Sequence, residues 1–196
     1  MSRGQGLLFE SPLPNGFHYR GGFISVDEET ELAAEIARVE FSNYEMRGVV
    51  ARRRVAFFGR AYDASLTVTP HLPAFLLPPR DRVAAWANVD PGSFVMALIN
   101  EYRAGAPIGW HRDAPQYGVV AGISLLSSCR MKLRPYISPG ARGHGARRVA
   151  THEITLERRS AYLMAGDARN AYEHHIPAVD ALRYSITFRT ARTRET

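Results

Sequence analysis

The stretch that decides the fold lies near the C-terminus and reads Arg183-Tyr184-Ser185-Ile186-Thr187-Phe188-Arg189. Apolar and polar residues alternate strictly in it, which is the pattern of a β-strand whose two faces meet different surroundings. We expect Tyr184, Ile186 and Phe188 to lie in a core. Arg183 and Arg189 share the other face, and two inward arginines would be costly without anionic partners. The strand therefore predicts a cavity for a dicarboxylate, unless this face is simply an exposed polar one.

Short apolar runs, separated by glycine, proline or polar turns, recur upstream of this strand. The strands predicted from them are Phe94–Tyr102, Gly118–Ser127, Met131–Tyr136, Val149–Leu156, Ser160–Met164 and Leu182–Arg189. Many short strands with turn signals are typical of a β-sandwich or barrel. We expect residues 92–196 to form a double-sheet jelly roll, also called a double-stranded β-helix, with a hairpin loop at Pro139–Ala146.

Residues 1–91 have a mixed α/β pattern. The elements predicted there are a strand at Phe17–Val26, a helix from Asp27 to about Val39, a strand at Arg52–Phe58, an irregular Pro70–Pro79 and a helix at Asp81–Asn88. Acidic residues in its first turn favour the start of the first helix. We expect this α/β extension to pack on the mostly β core in one compact domain and to include a substrate lid.

The composition indicates an intracellular protein with an anionic partner. The chain has 25 Lys and Arg against 19 Asp and Glu, a net charge of +6, which favours nucleic acid. Lys132 is the only lysine, however, so the arginine excess fits the base composition of the gene equally well. Cys129 is the only cysteine and excludes an internal disulfide. With no apolar run long enough for a membrane span and no signal-peptide pattern, we expect a cytoplasmic monomer.

A metal-binding pattern stands in the middle of the chain, at His111-Arg112-Asp113. On a strand, residues two apart point to the same face, so His111 and Asp113 would project together. Another histidine follows late, at His174 or the adjacent His175. Two histidines and a carboxylate form the facial triad of non-haem Fe(II) oxygenases, which leaves coordination positions open. His-x-Asp alone is common, and it also fits a surface pair.

The strand before this tripeptide carries groups that bind carboxylates. Alternation puts Asn100 and Tyr102 on one face of Phe94–Tyr102, at its C-terminal end. An amide and a phenol both donate hydrogen bonds to carboxylate oxygens. Tyr102 also fits a core aromatic.

Taken together, these segments resemble the AlkB-like iron(II)/2-oxoglutarate dioxygenases. The matching motifs are Asn100-x-Tyr102-x-x-Gly105, His111-x-Asp113, His174-x-Ile176 and Arg183-x-Ser185-x-Thr187-x-Arg189. They cover about half of the chain, from Gly92 to Arg189. The resemblance implies a jelly roll, with Fe(II), 2-oxoglutarate and O₂ as cofactor and co-substrates.

The resemblance also implies a role for each matching residue. His111, Asp113 and His174 would ligate the iron, and His174 is preferred over His175 because Ile176 follows it two residues on. The implied co-substrate residues are Arg183 and Tyr102 at the distal carboxylate, Asn100 and Arg189 near the other carboxylate and the reaction centre, and Thr187 as the support of Arg183.

The resemblance weakens where the substrate would bind. DNA-repair members usually have asparagine where this chain has Ser185, and often have acidic residues after the metal aspartate, where this chain has Ala114-Pro115-Gln116. The basic and aromatic segment 52–62 favours nucleic acid, since aromatics stack bases and arginines meet phosphates. The substrate candidates are Phe58, Arg60, Tyr62 and Trp110. Val55, Phe57 and Tyr62 of this segment also fit core packing, and Trp110, which precedes His111, also fits wall packing.

We therefore expect oxidative demethylation of N-alkylated bases in single-stranded DNA or RNA. Three alternatives stay open: the same chemistry on a protein side chain or small molecule, a jelly-roll binding protein without catalysis, and a zinc hydrolase on the same triad. The hydrolase would leave Arg183 and Arg189 unexplained.

Overall fold

The computed structural model describes residues 13–46, 49–60, 70–138 and 150–192, without the side chains of residues 44–50. Its elements in chain order are β1 (Phe17–Arg20), α1 (Val26–Ile36), β2 (Ser42–Met46), β3 (Val49–Gly59), α2 (Leu77–Ala87), β4 (Phe94–Tyr102), β5 (Ile108–His111), β6 (Tyr117–Leu125), β7 (Cys129–Pro135), β8 (His152–Leu156), β9 (Ala161–Met164), α3 (Gly166–Asn170), β10 (Tyr172–Ile176) and β11 (Arg183–Ala191). Short 3₁₀ turns at Ala74–Leu76 and Pro91–Ser93 precede α2 and β4. None of the helices in these ranges is long and apolar enough to cross a membrane.

Two antiparallel sheets form the body of the protein. The larger sheet has the strand order β1-β9-β6-β11-β4-β3-β2, and the smaller has the order β5-β10-β7-β8. Strands distant in sequence are neighbours in both sheets, as in a jelly roll. The prediction of a mostly β jelly-roll fold is confirmed.

The strand β11 lies in the middle of the larger sheet, between β4 and β6. One face of it carries Tyr184, Ile186 and Phe188, which pack with the apolar sides of α1 and α2 in the main hydrophobic cluster. The prediction that these three residues belong to a core is confirmed. The other face of β11 turns toward the smaller sheet and is also buried. The arginines on it therefore lie in the interior and not on an exposed polar face.

The helix α1 begins where a capping box closes its first turn. The Ser25 hydroxyl accepts a hydrogen bond from the Glu28 amide at 3.1 Å, and the Ser25 amide donates to the Glu28 carboxylate at 2.7 Å. Because such a box satisfies amides that the first turn leaves unpaired, it sets the start of the helix. The predicted strand Phe17–Val26 is therefore too long, and β1 ends at Arg20.

The helix α2 begins within a segment that we predicted to be irregular. It starts at Leu77, so that Pro78 and Pro79 occupy its first turn, where no intrahelical amide is needed. It ends at Ala87, and the C-cap residue Asn88 adopts the left-handed conformation with φ of 53°. The predicted start at Asp81 was therefore four residues late.

Other strand boundaries differ from the predictions at their ends. The strand β2 was not predicted, β3 extends further than Arg52–Phe58 at both ends, and β8 begins at His152. The loop predicted at Pro139–Ala146 lies outside the described residues. Strands on both sides of residue 92 share the larger sheet, so β1, β2 and β3 border the same interior as the later strands.

Candidate active site

The strand β5 carries His111 to the interior but ends there. Asp113 lies in the loop that follows, so the expectation that both sit on one strand was wrong. His111 Nδ1 lies 2.9 Å from the carbonyl oxygen of Gly109, to which it can only donate. This hydrogen bond leaves Nε2 as the unprotonated nitrogen in the neutral ring, which is the arrangement that a metal ligand needs.

His174 lies directly opposite His111 on the neighbouring strand β10. Their ring centroids are 4.1 Å apart, and His174 Nε2 lies 3.8 Å from Asp113 Oδ2. Two imidazoles and a carboxylate thus converge between the two sheets. Within the described residues, no set of three or more His, Cys, Asp or Glu side chains is already closed around a metal position. The donor types nevertheless suit a divalent iron ion.

The protonation states of these groups favour a cation. Burial alone would raise the pKa of the Asp113 carboxyl, but Arg189 and the two imidazoles outweigh it and hold that pKa well below its usual range. Burial, with His111 nearby, lowers the pKa of His174 to about 3. Burial also lowers the pKa of His111. At neutral pH the site therefore offers two neutral rings and one ionised carboxylate, the states in which these groups ligate metals.

Arg189 fixes the orientation of the Asp113 carboxylate. Its Nε and Nη2 donate to Asp113 Oδ1 at 3.0 and 2.6 Å, so Oδ2 is the oxygen that faces His174. Arg189 Nη1 donates to Thr187 Oγ1 at 3.0 Å, and the Thr187 hydroxyl donates to the Leu98 carbonyl. The structure thus shows Thr187 supporting Arg189 and not Arg183, which differs from the role implied by the resemblance.

Arg183 lies deeper in the same interior and is completely buried. Its Nη2 donates to Ser124 Oγ at 2.7 Å, and its guanidinium carbon lies 5.2 Å from the centre of the Tyr102 ring. Among the described residues, its Nε and Nη1 have no hydrogen-bond partner. A buried cation with two unpaired donors is costly, and a carboxylate would satisfy both donors at once. The residues present therefore fit a dicarboxylate co-substrate.

Arg53 also lies in this interior, although it was not predicted as a site residue. It is 8% exposed, and its Nε donates to Asn100 Oδ1 at 3.2 Å. The adjacent Arg54 points the other way and forms an ion pair with Glu101. Strand alternation could have predicted this position. Arg53 is two residues from Val55 and shares its face of β3, and Val55 pairs with Asn100 of β4.

Two substrate candidates, Phe58 and Arg60, lie at the C-terminal end of β3. Phe58 packs against the helix-side core, away from the triad, whereas the preceding Phe57 packs with the cluster that lines the Arg189 end of the site. Arg60 has an exposed side chain, and its backbone carbonyl accepts a hydrogen bond from the hydroxyl of Tyr117 at 3.3 Å. Tyr62 lies outside the described residues.

Trp110 lies on the outer face of the smaller sheet, opposite to that of His111. It stacks on His175 with ring centroids 5.2 Å apart, and the Arg134 guanidinium lies 4.0 Å from its ring centre. The structure therefore does not bring Trp110 or His175 into the cavity with His174.

The comparisons with known proteins agree with this geometry. The 2OG-Fe(II) oxygenase superfamily matches residues 22–189. A curated relative from Arabidopsis thaliana, "Alkylated DNA repair protein ALKBH8 homolog", is 27% identical over an alignment that covers 87% of this chain and 54% of the relative. The chain thus spans about half the length of this relative.

Solved structures share the fold at low identity. OsALKBH1 superposes with a TM-score of 0.68 at 14% identity, covering 92% of this chain and all of the other. A Pseudomonas putida prolyl-4-hydroxylase superposes with a TM-score of 0.61 at 15% identity, covering 90% and 93% of the two chains. With the family match over most of its length, the chain belongs to the 2OG-Fe(II) oxygenase superfamily, and it is similar to AlkB homologues in sequence and in fold.

Proposed function

We propose that this protein removes alkyl groups from N-alkylated bases of single-stranded DNA or RNA, with Fe(II) held by His111, Asp113 and His174. The observation that carries the oxygenase site is the pairing of this triad with a buried Arg183 that has two unpaired donors. Asp113 would offer Oδ2 to the metal, because Arg189 occupies Oδ1. Each imidazole would offer an unprotonated nitrogen.

The co-substrate would lie between the two arginines of β11. Arg183 Nε and Nη1, beside the Tyr102 phenol, would bind the distal carboxylate of 2-oxoglutarate. Asn100 and Arg189 would face its other end. Arg53, which holds Asn100 through a hydrogen bond to Oδ1, leaves the amide nitrogen of Asn100 free to donate.

When bound, iron and 2-oxoglutarate use O₂ to hydroxylate a substrate C–H bond and release succinate and CO₂. If the carbon is an N-methyl group, the hydroxymethyl product sheds formaldehyde and leaves the free base. The protein supplies position and a dry cavity. Its apolar wall beside Arg189 consists of Val55, Met96, Leu98 and Tyr117.

Three features support a nucleic-acid substrate. The chain has a net charge of +6, and the curated relative is named as an alkylated DNA repair protein. Phe57 packs at the apolar wall, where an unstacked base could lie against an aromatic ring.

We expect the protein to act as a cytoplasmic monomer.

A second candidate is the same chemistry on a protein side chain or small molecule. It is favoured by the segment after Asp113, where Ala114, Pro115 and Gln116 present no acidic side chain to a base.

The test uses protein purified without oxygen and loaded with Fe(II) and 2-oxoglutarate. Methylated single-stranded DNA and RNA oligonucleotides are added, air is admitted, and succinate and oligonucleotide mass are followed together. We expect one oligonucleotide to lose one methylene with matching succinate. His174→Ala should abolish both signals, whereas His175→Ala, an adjacent change outside the cavity, should retain them.

The outcomes separate the alternatives. Succinate that depends on His174 but leaves every oligonucleotide unchanged would transfer the proposal to proteins or small molecules. Absence of succinate under all conditions would refute the catalytic assignment.

A further inference from the structure

Tyr162 on β9 occupies space that Gly122 on β6 leaves open. The two residues face each other in the register of the strands. A Cβ atom built on Gly122 would lie 2.2 Å from Tyr162 Cε1 and 2.7 Å from its hydroxyl oxygen. The far end of the ring therefore crosses directly over Gly122, and no other residue type fits there without displacing it.

The direction of this ring brings the phenol to the co-substrate cavity. On its other side Gly122 pairs with Thr187 of β11, which lies between Arg183 and Arg189. The Tyr162 ring stacks on Phe17 on the side away from β11, with centroids 6.0 Å apart. The hydroxyl end thus extends from β9 across β6 toward the row of polar side chains on β11.

The Tyr162 hydroxyl is a hydrogen-bond donor without an acceptor among the described residues. Tyr162 is 7% exposed, and in the part of the chain that the structure describes its hydroxyl makes no hydrogen bond. Burial, with Asp113 nearby, raises the pKa of the phenol well above its usual range, so it keeps its proton. A protonated phenol among buried arginines suits an anion that accepts from both.

We propose that Tyr162 donates a hydrogen bond to bound 2-oxoglutarate and that Gly122 is required to admit its ring. Tyr162 is then a further co-substrate-binding residue beside Tyr102, on the opposite flank of the β11 arginines. This inference rests on the proposed function, since it needs 2-oxoglutarate to occupy the cavity.

The test measures binding without turnover. Calorimetry gives the Kd of 2-oxoglutarate for the full chain loaded with Mn(II) and kept free of oxygen. Tyr162→Phe removes only the hydroxyl and should raise this Kd about tenfold, the effect of one hydrogen bond to a charged group. Tyr19→Phe is the matched control. Tyr19 of β1 pairs with Tyr162 of β9, but its hydroxyl accepts a hydrogen bond from the Glu157 amide.

Four outcomes decide the question. The inference is supported if Tyr162→Phe weakens 2-oxoglutarate binding, Tyr19→Phe does not, and the Kd for Mn(II) stays unchanged. An unchanged Kd for 2-oxoglutarate in Tyr162→Phe overturns it, and so does an equal weakening of Mn(II) binding, which would show that Tyr162 acts through Asp113. Failure of the unmodified protein to bind 2-oxoglutarate would instead overturn the proposed function.

A second variant tests the role of the glycine. Gly122→Ala should displace the Tyr162 ring and weaken 2-oxoglutarate binding. The double variant with Tyr162→Phe should lose less 2-oxoglutarate binding free energy than the sum of the two single losses, because both changes act on one contact. Additive effects would mean that Gly122 does not seat the phenol.

Discussion

Replacing Arg183 by methionine should stabilise the protein while abolishing co-substrate binding. Arg183 is completely buried, and its hydrogen bond to Ser124 satisfies only one nitrogen of the guanidinium. Among the described residues, Nε and Nη1 have no partner. A residue that serves the fold would not be left in this state, whereas a residue that waits for a ligand would.

The magnitude follows from the unpaired donors. Each unsatisfied buried donor costs about 1–3 kcal/mol, and the lost bond to Ser124 is worth about 1 kcal/mol. Arg183→Met should therefore raise the free energy of unfolding of the ligand-free protein by about 1–5 kcal/mol, toward the lower end if water enters the cavity. In a chain of this size that raises Tm by several degrees, at about 2–4 °C per kcal/mol. Loss of two charge-assisted hydrogen bonds should weaken 2-oxoglutarate binding by about two to four orders of magnitude.

Both quantities are measured on the same protein. Thermal unfolding is followed with and without 2-oxoglutarate in the presence of Mn(II) and the absence of oxygen, for Arg183→Met and for Arg183→Lys. The lysine variant keeps the charge without the planar fork, so it should recover little affinity and none of the stability. A methionine variant that is less stable than the original and still binds 2-oxoglutarate would refute the reasoning.

Four shorter predictions follow from the site and its supports. Because the pKa of His174 is lowered to about 3, Mn(II) affinity should change little between about pH 7.5 and 5.5, whereas ordinary imidazoles would lose about tenfold each. Because of the same lowered pKa, Tm of the metal-free protein should fall as the pH drops below about 6.5, since the imidazole then binds a proton in the unfolded chain but not in the folded one. A Tm that does not change with pH in this range would contradict this. Gly59→Ala should lower Tm by about 5–10 °C, because φ is +81° and the new Cβ would lie 2.4 Å from a carbonyl oxygen of β4, while Gly21→Ala, with open space, should leave it unchanged. Phe57→Ala should slow dealkylation of oligonucleotides about tenfold without changing the Kd of 2-oxoglutarate, and Phe58→Ala should lower only Tm; equal effects of the two would exclude a role for the site-facing ring.

The strand β11 was predictable because its alternation is strict over seven residues. Parity alone separates Ile186 and Phe188 from Arg183 and Arg189, and the structure keeps that separation. Alternation does not predict that the polar face of β11 is buried. That face is buried because the smaller sheet packs over it, a tertiary contact that no local pattern encodes.

Asp113 was harder to place because β5 is short. The pairing of β5 with β10 shifts between His174 and Ile176, so residues near this irregularity do not follow simple alternation. The strand then ends at His111, and Asp113 reaches the triad from a loop. In β3 the error was different, because a shift of one residue exchanges Phe57 and Phe58 between faces.

The loop after Asp113 differs from the pattern that the family resemblance implies for DNA-repair members, because it has no acidic residue in Ala114-Pro115-Gln116. Arg169, on the short helix α3, is buried and donates from Nη2 to the carbonyl oxygens of Ala114 and Tyr117 at 2.6 and 2.9 Å. The turn is thus held by a cation bound to main-chain acceptors, independently of the side chains between them. Because Pro115 and Gln116 carry no charge, recognition of the proposed substrate on this side of the site would have to use shape, stacking and the neutral amide. Under the proposed function, the substrate would be an alkylated base whose exocyclic groups need no acidic partner, and the oligonucleotide panel should be widest in bases of that kind.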